Sequence, residues 1–232
     1  MNIRGVQKLT LVDYPGKLAA IFFTGGCNFR CPYCHNPCLV LDPESQPLLD
    51  RAAFEAFLAG RRGKLDGVVF SGGEPTLQPD LGEYAALARS MGFAVKIDTN
   101  GSRPEVIEAI LAAGNADMLA VDYKAPAARY CELTGSGDPE LAQKVRRTIS
   151  LAVKNGVELD VRTTVHRLLL SEDELRGMAE ELKSLGVKRW MLQEFRGEDI
   201  LDDDLKDFPT WTPEELAAIA ASLGDGFAKL RE

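Results

Sequence analysis

The sequence predicts an α/β fold, a partial (β/α)6 TIM-like barrel of parallel strands with the helices outside. Six short runs rich in β-branched residues alternate with longer helical segments, as in parallel strands joined by right-handed crossovers. Polar motifs follow each of the first five strands. Barrel active sites are assembled at these carboxyl ends, whereas an open sheet uses only the strands beside a switch point.

The alternation locates the individual elements. The predicted strands are Leu18–Thr24, Gly67–Ser71, Ala94–Asp98, Met118–Tyr123, Leu159–Val165 and Trp190–Phe195. The predicted helices are Arg51–Arg62, Leu81–Ser90, Pro104–Ala113, Pro139–Asn155, Glu172–Leu185 and Pro213–Leu223. Ser171 opens a Ser-x-x-Glu capping box, Thr212 precedes a proline at a first helical position, and Gly156 and Gly186 follow helix ends.

Length and composition predict a single domain over residues 1–232. Its core spans about residues 18–196, followed by an acidic, solvated loop at Glu198–Asp207 and a C-terminal helix within 197–232. The net charge of −8 argues against a nucleic-acid partner. There is no apolar run of membrane-spanning length and no signal peptide at the N-terminus, so we expect no membrane association and a cytoplasmic location.

Cysteine spacing carries the strongest chemical signal. Four of the five cysteines lie between Cys27 and Cys38, which favours a metal site over disulfides. Cys27, Cys31 and Cys34 form a C-x3-C-x2-C loop, and Gly25, Gly26 and Pro32 allow that loop to curl. Three thiolates around a four-iron cubane leave one iron without a protein ligand, as in a metal site that acts on a bound molecule.

Other interpretations of these cysteines stay open. A structural zinc site, a c-type haem attachment at Cys31–His35 and a thioredoxin-like pair each fit part of the pattern. An electron-transfer cluster would take a fourth ligand, and Cys38 is near enough in sequence to supply one. Cys131 is typical of a buried, small apolar residue.

The loop has a familiar form. A C-x3-C-x2-C loop with the aromatic Tyr33 before its last cysteine, followed by Gly-Gly-Glu-Pro at residues 72–75, resembles the radical S-adenosylmethionine (SAM) superfamily. The run Val12–Pro37, with Asp-Tyr-Pro-Gly at residues 13–16, resembles the activating enzymes of glycyl-radical proteins. The resemblance is greatest to the group that activates anaerobic ribonucleoside-triphosphate reductase.

This resemblance implies a [4Fe–4S] cluster on the three cysteines and a set of SAM-binding residues. The implied SAM contacts are Tyr33, Gly72, Gly73, Glu74, Pro75, Lys124, Arg162 and Thr164. Asp98, Thr99 and Asp122 are implied ligands of a monovalent cation. Structural roles remain open for each group: a helix cap at Glu74, a turn at Asn100-Gly101, an ion pair between Asp122 and Lys124, hydrogen bonding along the fifth strand, and core packing of Tyr33.

The resemblance also implies the reaction. A low-potential donor such as flavodoxin or ferredoxin would reduce the cluster, SAM would be cleaved to methionine and a 5′-deoxyadenosyl radical, and the radical would take hydrogen from a glycine of the reductase. Two alternatives are a radical SAM enzyme acting on another glycyl-radical protein or a small molecule, and a non-enzymatic iron–sulfur electron carrier.

Overall fold

The computed structural model describes residues 1–224 and 226–231. The described residues form eight strands: β1 Ile3–Thr10, β2 Ala19–Thr24, β3 Gly67–Gly72, β4 Ala94–Thr99, β5 Met118–Asp122, β6 Glu158–Val165, β7 Trp190–Glu194 and β8 Ala228–Leu230. They also form eight α-helices: α1 Pro37–Leu41, α2 Arg51–Arg61, α3 Leu81–Ser90, α4 Pro104–Ala112, α5 Tyr130–Thr134, α6 Leu141–Asn155, α7 Glu172–Ser184 and α8 Pro213–Ser222. None of the described helices is long and apolar enough to cross a membrane.

The strands lie in one sheet in chain order from β1 to β8. Parallel pairing joins β2 to β3, β3 to β4, β6 to β7 and β7 to β8, whereas β1 runs antiparallel to β2. All six predicted strands and all six predicted longer helices are present, with ends shifted by at most two residues. The predicted α/β class of mostly parallel strands is therefore confirmed.

Four elements were not predicted from the sequence: β1, β8, α1 and α5. The strand β1 is at the sheet edge, and its residues Gln7, Lys8 and Leu9 are exposed, so it lacks the apolar run of a covered strand. The strand β8 and the helices α1 and α5 have only three to five residues, which is too short for a periodic pattern.

The chain packs as two compact units. The first unit comprises Met1–Asn28, Asn36–Thr99 and Arg103–Ala120, and the second comprises Phe29–His35, Asn100–Ser102 and Val121–Glu232.

In the first unit, two faces of the parallel strands are covered by different groups. Phe22 of β2 and Phe70 of β3 pack with Phe54 of α2 and Tyr84 of α3, with ring centroids 4.7 Å apart for Phe22 and Phe54 and 4.9 Å for Phe54 and Tyr84. The opposite face carries a second cluster: Tyr14, Ala19, Ile21, Val69 and Met118. Because both faces are buried, β2 and β3 are held rigidly up to their carboxyl ends.

In the second unit, a buried polar chain connects the strand ends. The indole Nε1 of Trp190 donates to Thr163 Oγ1 at 2.9 Å, and Thr163 Oγ1 donates to the carbonyl oxygen of Tyr123 at 2.5 Å. Ser171 caps α7 in a complete capping box with Glu174, as its sequence predicts.

The acidic segment Glu198–Asp207 differs from the predicted solvated loop. Asp203–Asp207 forms a 3-10 helix, and Ile200 and Leu205 are buried while the carboxylates stay exposed. The segment is also tied to the cysteine loop, because Asp202 N donates to the carbonyl oxygen of Pro32 at 2.9 Å. Two spaced apolar residues therefore anchor a segment whose composition indicates exposure.

We expect Phe54→Ala to lower the free energy of unfolding by about 3–5 kcal/mol, because it leaves a cavity between α2 and the strands β2 and β3. Phe57→Ala is the matched control. Phe57 also contacts Phe22 but is only partly buried, so this substitution should lower the free energy of unfolding by less. Urea denaturation measures both values, and equal losses would contradict the proposed role of Phe54.

Candidate active site

A pair of glycines joins the end of β3 to the end of β2. Gly73 N donates to the carbonyl oxygen of Thr24 and Glu74 N donates to that of Gly26, both at 2.8 Å. A Cβ atom on Gly73 would lie 2.1 Å from the Gly26 oxygen, and Gly72 has a φ of +109°. Only glycine permits this approach, so the Gly-Gly segment is held against the residue that immediately precedes Cys27.

Glu74 is buried within the same unit. Its Oε1 accepts hydrogen bonds from Thr76 N at 3.0 Å, from Thr76 Oγ1 at 2.5 Å and from Thr99 Oγ1 at 2.7 Å. Glu74 is thereby the N-cap of the short 3-10 helix Pro75–Leu77, so the capping role left open by the sequence is present. All three bonds fall on one carboxylate oxygen, which orients the other.

Asp98, at the end of β4, has a partner that the sequence analysis missed. Lys96 Nζ lies 2.5 Å from Asp98 Oδ1, and the Lys96 side chain is fully buried. Ser71 of β3 donates to Asp98 Oδ2 at 3.3 Å. A lysine two residues before an aspartate in a strand shares its face, and this spacing was the signal that could have revealed the pair.

The second unit contains the rest of the cysteine loop. Cys34 N donates to the carbonyl oxygen of Cys31 at 3.0 Å, which forms a tight turn, and Arg30 N donates to that of Thr134 at 2.7 Å, which ties the loop to the end of α5. Burial raises the pKa of the Cys31 thiol to about 11, although the Lys124 ammonium opposes this shift. Iron binding to such a thiol must release its proton.

Lys124 lies beside Tyr33 of this turn. Its Nζ lies 3.1 Å from Asp122 Oδ2 and 5.6 Å from the centre of the Tyr33 ring. Burial is the largest single influence and would lower the pKa of Lys124, but Asp122, Tyr33 and Cys31 together raise the pKa well above its ordinary value. Lys124 is therefore a permanent cation beside Tyr33.

Tyr130 holds the backbone of both residues of this ion pair through hydrogen bonds. Its buried hydroxyl accepts from Lys124 N at 3.1 Å and donates to the carbonyl oxygen of Asp122 at 3.3 Å. The ion pair between Asp122 and Lys124, an open interpretation from the sequence, is thus present in the structure.

Arg162 and Thr164 are alternate residues of β6, and His166 directly follows that strand. Arg162 is buried and its Nε donates to Asp160 Oδ2 at 2.8 Å. Thr164 is half-buried and pairs in register with Gln193 of β7. His166 is fully buried, accepts at Nδ1 from Leu168 N at 3.2 Å and packs edge-on to Phe195.

The predicted ligands therefore divide between the two units. The first unit brings together Gly72, Gly73, Glu74, Pro75 and Thr99, and separately Asp98 with Ser71 and Lys96; the second brings together Cys31, Tyr33, Cys34, Asp122 and Lys124. Cys27 belongs to the first unit, so convergence of the three thiolates remains a prediction. Among the described residues, no three cysteine, histidine or acidic side chains converge as ligands of a single metal ion.

Comparison with known proteins finds relatives that span most of this chain. Residues 21–182 match the model of the radical SAM superfamily. A protein of Methanocaldococcus jannaschii, named among the glycyl-radical enzyme activating enzymes, is 34% identical over 92% of this chain and 88% of its own. The pyruvate formate-lyase-activating enzyme of Clostridium pasteurianum is 30% identical over 79% of this chain and 77% of its own.

A solved structure shares the fold. The radical SAM methyltransferase from Sphaerobacter thermophilus superposes with a TM-score of 0.66 at 17% identity, covering 96% of this chain and 68% of that one. This likeness concerns the fold alone, and it confirms the predicted partial-barrel class.

The chain belongs to the radical SAM superfamily. Within that superfamily it is a member of the group of glycyl-radical-enzyme activating enzymes, the group to which both relatives above are assigned by name.

The residues present fit the [4Fe–4S] cluster and SAM that this family implies. Cys27, Cys31 and Cys34 are not in disulfides, and thiolates are the soft ligands that iron–sulfur clusters require. Gly72 and Gly73 leave backbone groups accessible where no side chain could be accommodated. The buried Tyr33 hydroxyl has no hydrogen-bond partner among the described atoms, which is typical of a group that faces a bound molecule.

We expect Gly73→Ala to abolish SAM binding or to weaken it by at least about tenfold, because its Cβ would force the ends of β2 and β3 apart. Gly60→Ala is the control, since a Cβ there meets nothing within 4 Å. Equilibrium dialysis with SAM on the anaerobic protein measures the effect. Unchanged binding in Gly73→Ala would contradict the assignment of this segment.

His166 predicts a pH dependence of stability. Burial lowers the pKa of His166 below 6.5; the backbone groups of Phe208 and Leu205 oppose this shift, although neither reaches hydrogen-bonding distance of Nε2. The unfolded chain therefore binds this proton more readily than the folded chain. The contribution of His166 to the free energy of unfolding is therefore fully present above about pH 6.5, and it is lost as the pH falls below that value.

His166→Asn should flatten this part of the stability curve, measured by urea denaturation at each pH. NMR titration gives a second reading because the sequence has only two histidines, His35 and His166. An imidazole that titrates at or above about pH 6.5 at His166 would refute the prediction.

Proposed function

We propose that this enzyme holds a [4Fe–4S] cluster on Cys27, Cys31 and Cys34, cleaves SAM reductively and installs a glycyl radical on anaerobic ribonucleoside-triphosphate reductase. The observation that carries the proposal is the set of three cysteines at C-x3-C-x2-C spacing, none of them in a disulfide, next to a Gly-Gly-Glu-Pro segment that is hydrogen-bonded at the Cys27 end of β2. The names of the two relatives support a glycyl-radical protein as the substrate.

When bound, the cluster and SAM supply one-electron cleavage of the sulfonium to methionine and a 5′-deoxyadenosyl radical. The chain supplies the binding and the orientation. Backbone groups of Gly72, Gly73 and Pro75, together with the Glu74 carboxylate, would hold the amino group of SAM. Backbone groups can make such short contacts only where no side chain blocks the ligand, which explains why glycine is needed at two successive positions.

Charge favours Lys124 as the partner of the SAM carboxylate. Its ammonium is permanent, partly desolvated and adjacent to Tyr33, so it would pair with the SAM carboxylate at greater strength than an exposed lysine. The Tyr33 ring would pack near the adenine, and its buried hydroxyl would gain a partner. Tyr130 would keep Lys124 in position through the backbone.

Arg162 and Thr164 would flank SAM from β6. Arg162 is held by Asp160 through Nε, which fixes the plane of a guanidinium that would face polar groups of the nucleoside. Thr164, one side-chain position further along the same strand face, is accessible in part.

The choice of anaerobic ribonucleoside-triphosphate reductase rests on the Asp-Tyr-Pro-Gly motif at residues 13–16. The motif also has a local structural role: Tyr14 lies in the core, Thr10 Oγ1 donates to Asp13 at 2.6 Å, and Gly16 has a φ of +71° in the turn that connects β1 to β2. A second target, pyruvate formate-lyase or another glycyl-radical protein, is favoured by the C. pasteurianum relative. A flavodoxin or a ferredoxin is the proposed electron donor.

The decisive experiment uses the anaerobically reconstituted and reduced protein with SAM. We expect 5′-deoxyadenosine and methionine in equal amounts, and a glycyl-radical signal in electron paramagnetic resonance when the reductase is added. A signal with pyruvate formate-lyase instead would transfer the proposal to that target. Absence of SAM cleavage would favour the electron-carrier alternative and overturn the proposal.

Cysteine variants test the ligand set. Cys27→Ala, Cys31→Ala and Cys34→Ala should each lose the reduced-cluster spectrum and all SAM cleavage, because each removes one of three protein ligands. Cys38→Ala and Cys131→Ala are the matched controls and should retain both; Cys131 Sγ makes only a structural contact to the Asp138 carbonyl oxygen at 3.0 Å. Cluster loss in Cys38→Ala would instead identify a fourth ligand.

A further inference from the structure

Lys96 lies in a row of otherwise apolar side chains in the first unit. Strand register places Lys96 of β4 beside Val69 of β3, and Val69 beside Ile21 of β2. Ile21 and Val69 belong to the buried cluster with Tyr14 and Met118. The Lys96 side chain is fully buried on this face, so its ammonium has no access to water.

A buried ammonium is costly unless a charged group and hydrogen bonds compensate it. The compensating carboxylate is Asp98, two residues along the same strand face, with Oδ1 2.5 Å from Lys96 Nζ. Asp98 Oδ2 accepts from Ser71, and Ser71 directly precedes Gly72. The lysine thus fixes a carboxylate that in turn fixes the residue at the start of the SAM-binding segment.

The three residues predicted to bind a monovalent cation already have partners. Asp98 pairs with Lys96, Thr99 Oγ1 donates to Glu74, and Asp122 pairs with Lys124. A metal cation at Asp98 would lie within a few ångströms of the Lys96 ammonium, and like charges at that distance repel strongly where water is excluded. The predicted ligands therefore do not fit a metal cation in this structure.

We propose that the Lys96 ammonium takes the place of that cation: it is a positioning residue that orients Asp98 and, through Ser71, the Gly72–Pro75 segment. The inference rests on the proposed function, since it assigns this segment to SAM. It makes the enzyme independent of added monovalent metal ions.

The test compares SAM binding in potassium, sodium, ammonium and tetramethylammonium salts, using the reconstituted full-length protein and equilibrium dialysis. For the unmodified protein we expect the same dissociation constant in all four salts within about twofold, because the charge is supplied by the chain. A requirement for potassium or sodium would overturn the inference without any variant.

Three variants separate charge from packing. Lys96→Ala removes the charge and leaves space, so its SAM affinity should fall by about tenfold or more in tetramethylammonium and recover in potassium or ammonium. Lys96→Met removes the charge but fills the space, so its affinity should fall without recovery. Lys96→Arg should keep its affinity independent of the salt.

Val95→Ala is the matched control, since Val95 is equally buried on the same strand but on its opposite face. Its affinity should not depend on the salt. Loss of affinity in Lys96→Ala that no cation restores would assign Lys96 to packing alone and overturn the inference, as would unchanged affinity in Lys96→Ala.

Failure of the proposed function is distinguishable from failure of this inference. If the unmodified protein neither binds nor cleaves SAM in any salt, the proposed function fails, and the inference is then tested by thermal unfolding. Potassium or ammonium should raise the Tm of Lys96→Ala relative to tetramethylammonium while leaving those of Lys96→Met and the unmodified protein unchanged. If the change of salt shifted the Tm of all these proteins equally, the inference about Lys96 would be overturned.

Discussion

Close backbone contact between two strand ends is the constraint on which the first unit's share of the site depends. Neighbouring parallel strands end at the same edge, so the residues after β2 and β3 must pass one another within hydrogen-bonding distance. Hydrogen bonds from Gly73 and Glu74 to Thr24 and Gly26 satisfy that requirement. Because no side chain fits between them, the backbone itself lines this edge beside Cys27.

Rigid support behind this contact comes from burial on both faces of the strands. Aromatic rings from α2 and α3 cover one face, and an apolar cluster that includes Tyr14 covers the other. Close packing of this kind limits the movement of strand ends. The Gly-Gly segment that follows β3 therefore starts from a fixed position.

Ion pairs in both units share one spacing along the chain. Lys96 with Asp98, Lys124 with Asp122, and Arg162 with Asp160 are each a cation and a carboxylate two residues apart. Within a strand this spacing puts both side chains on one face, as it does for Lys96 with Asp98 in β4 and for Arg162 with Asp160 in β6. Each pair offsets locally the cost of removing its charges from water.

The sequence by itself determined the order and type of the long elements, the cysteine motif and the polar residues at the strand ends. These follow from periodicity and from spacing along the chain, which are local properties. The tertiary structure decided which partners those residues have: that Glu74 caps a turn, that Asp98 pairs with a lysine, and that Ile200 and Leu205 anchor an acidic segment. Partners that are distant in sequence are set by the register and packing between strands, which no local pattern predicts. The pairing of Lys96 with Asp98 is different, because residues two apart in a strand share a face and the sequence alone could have predicted it.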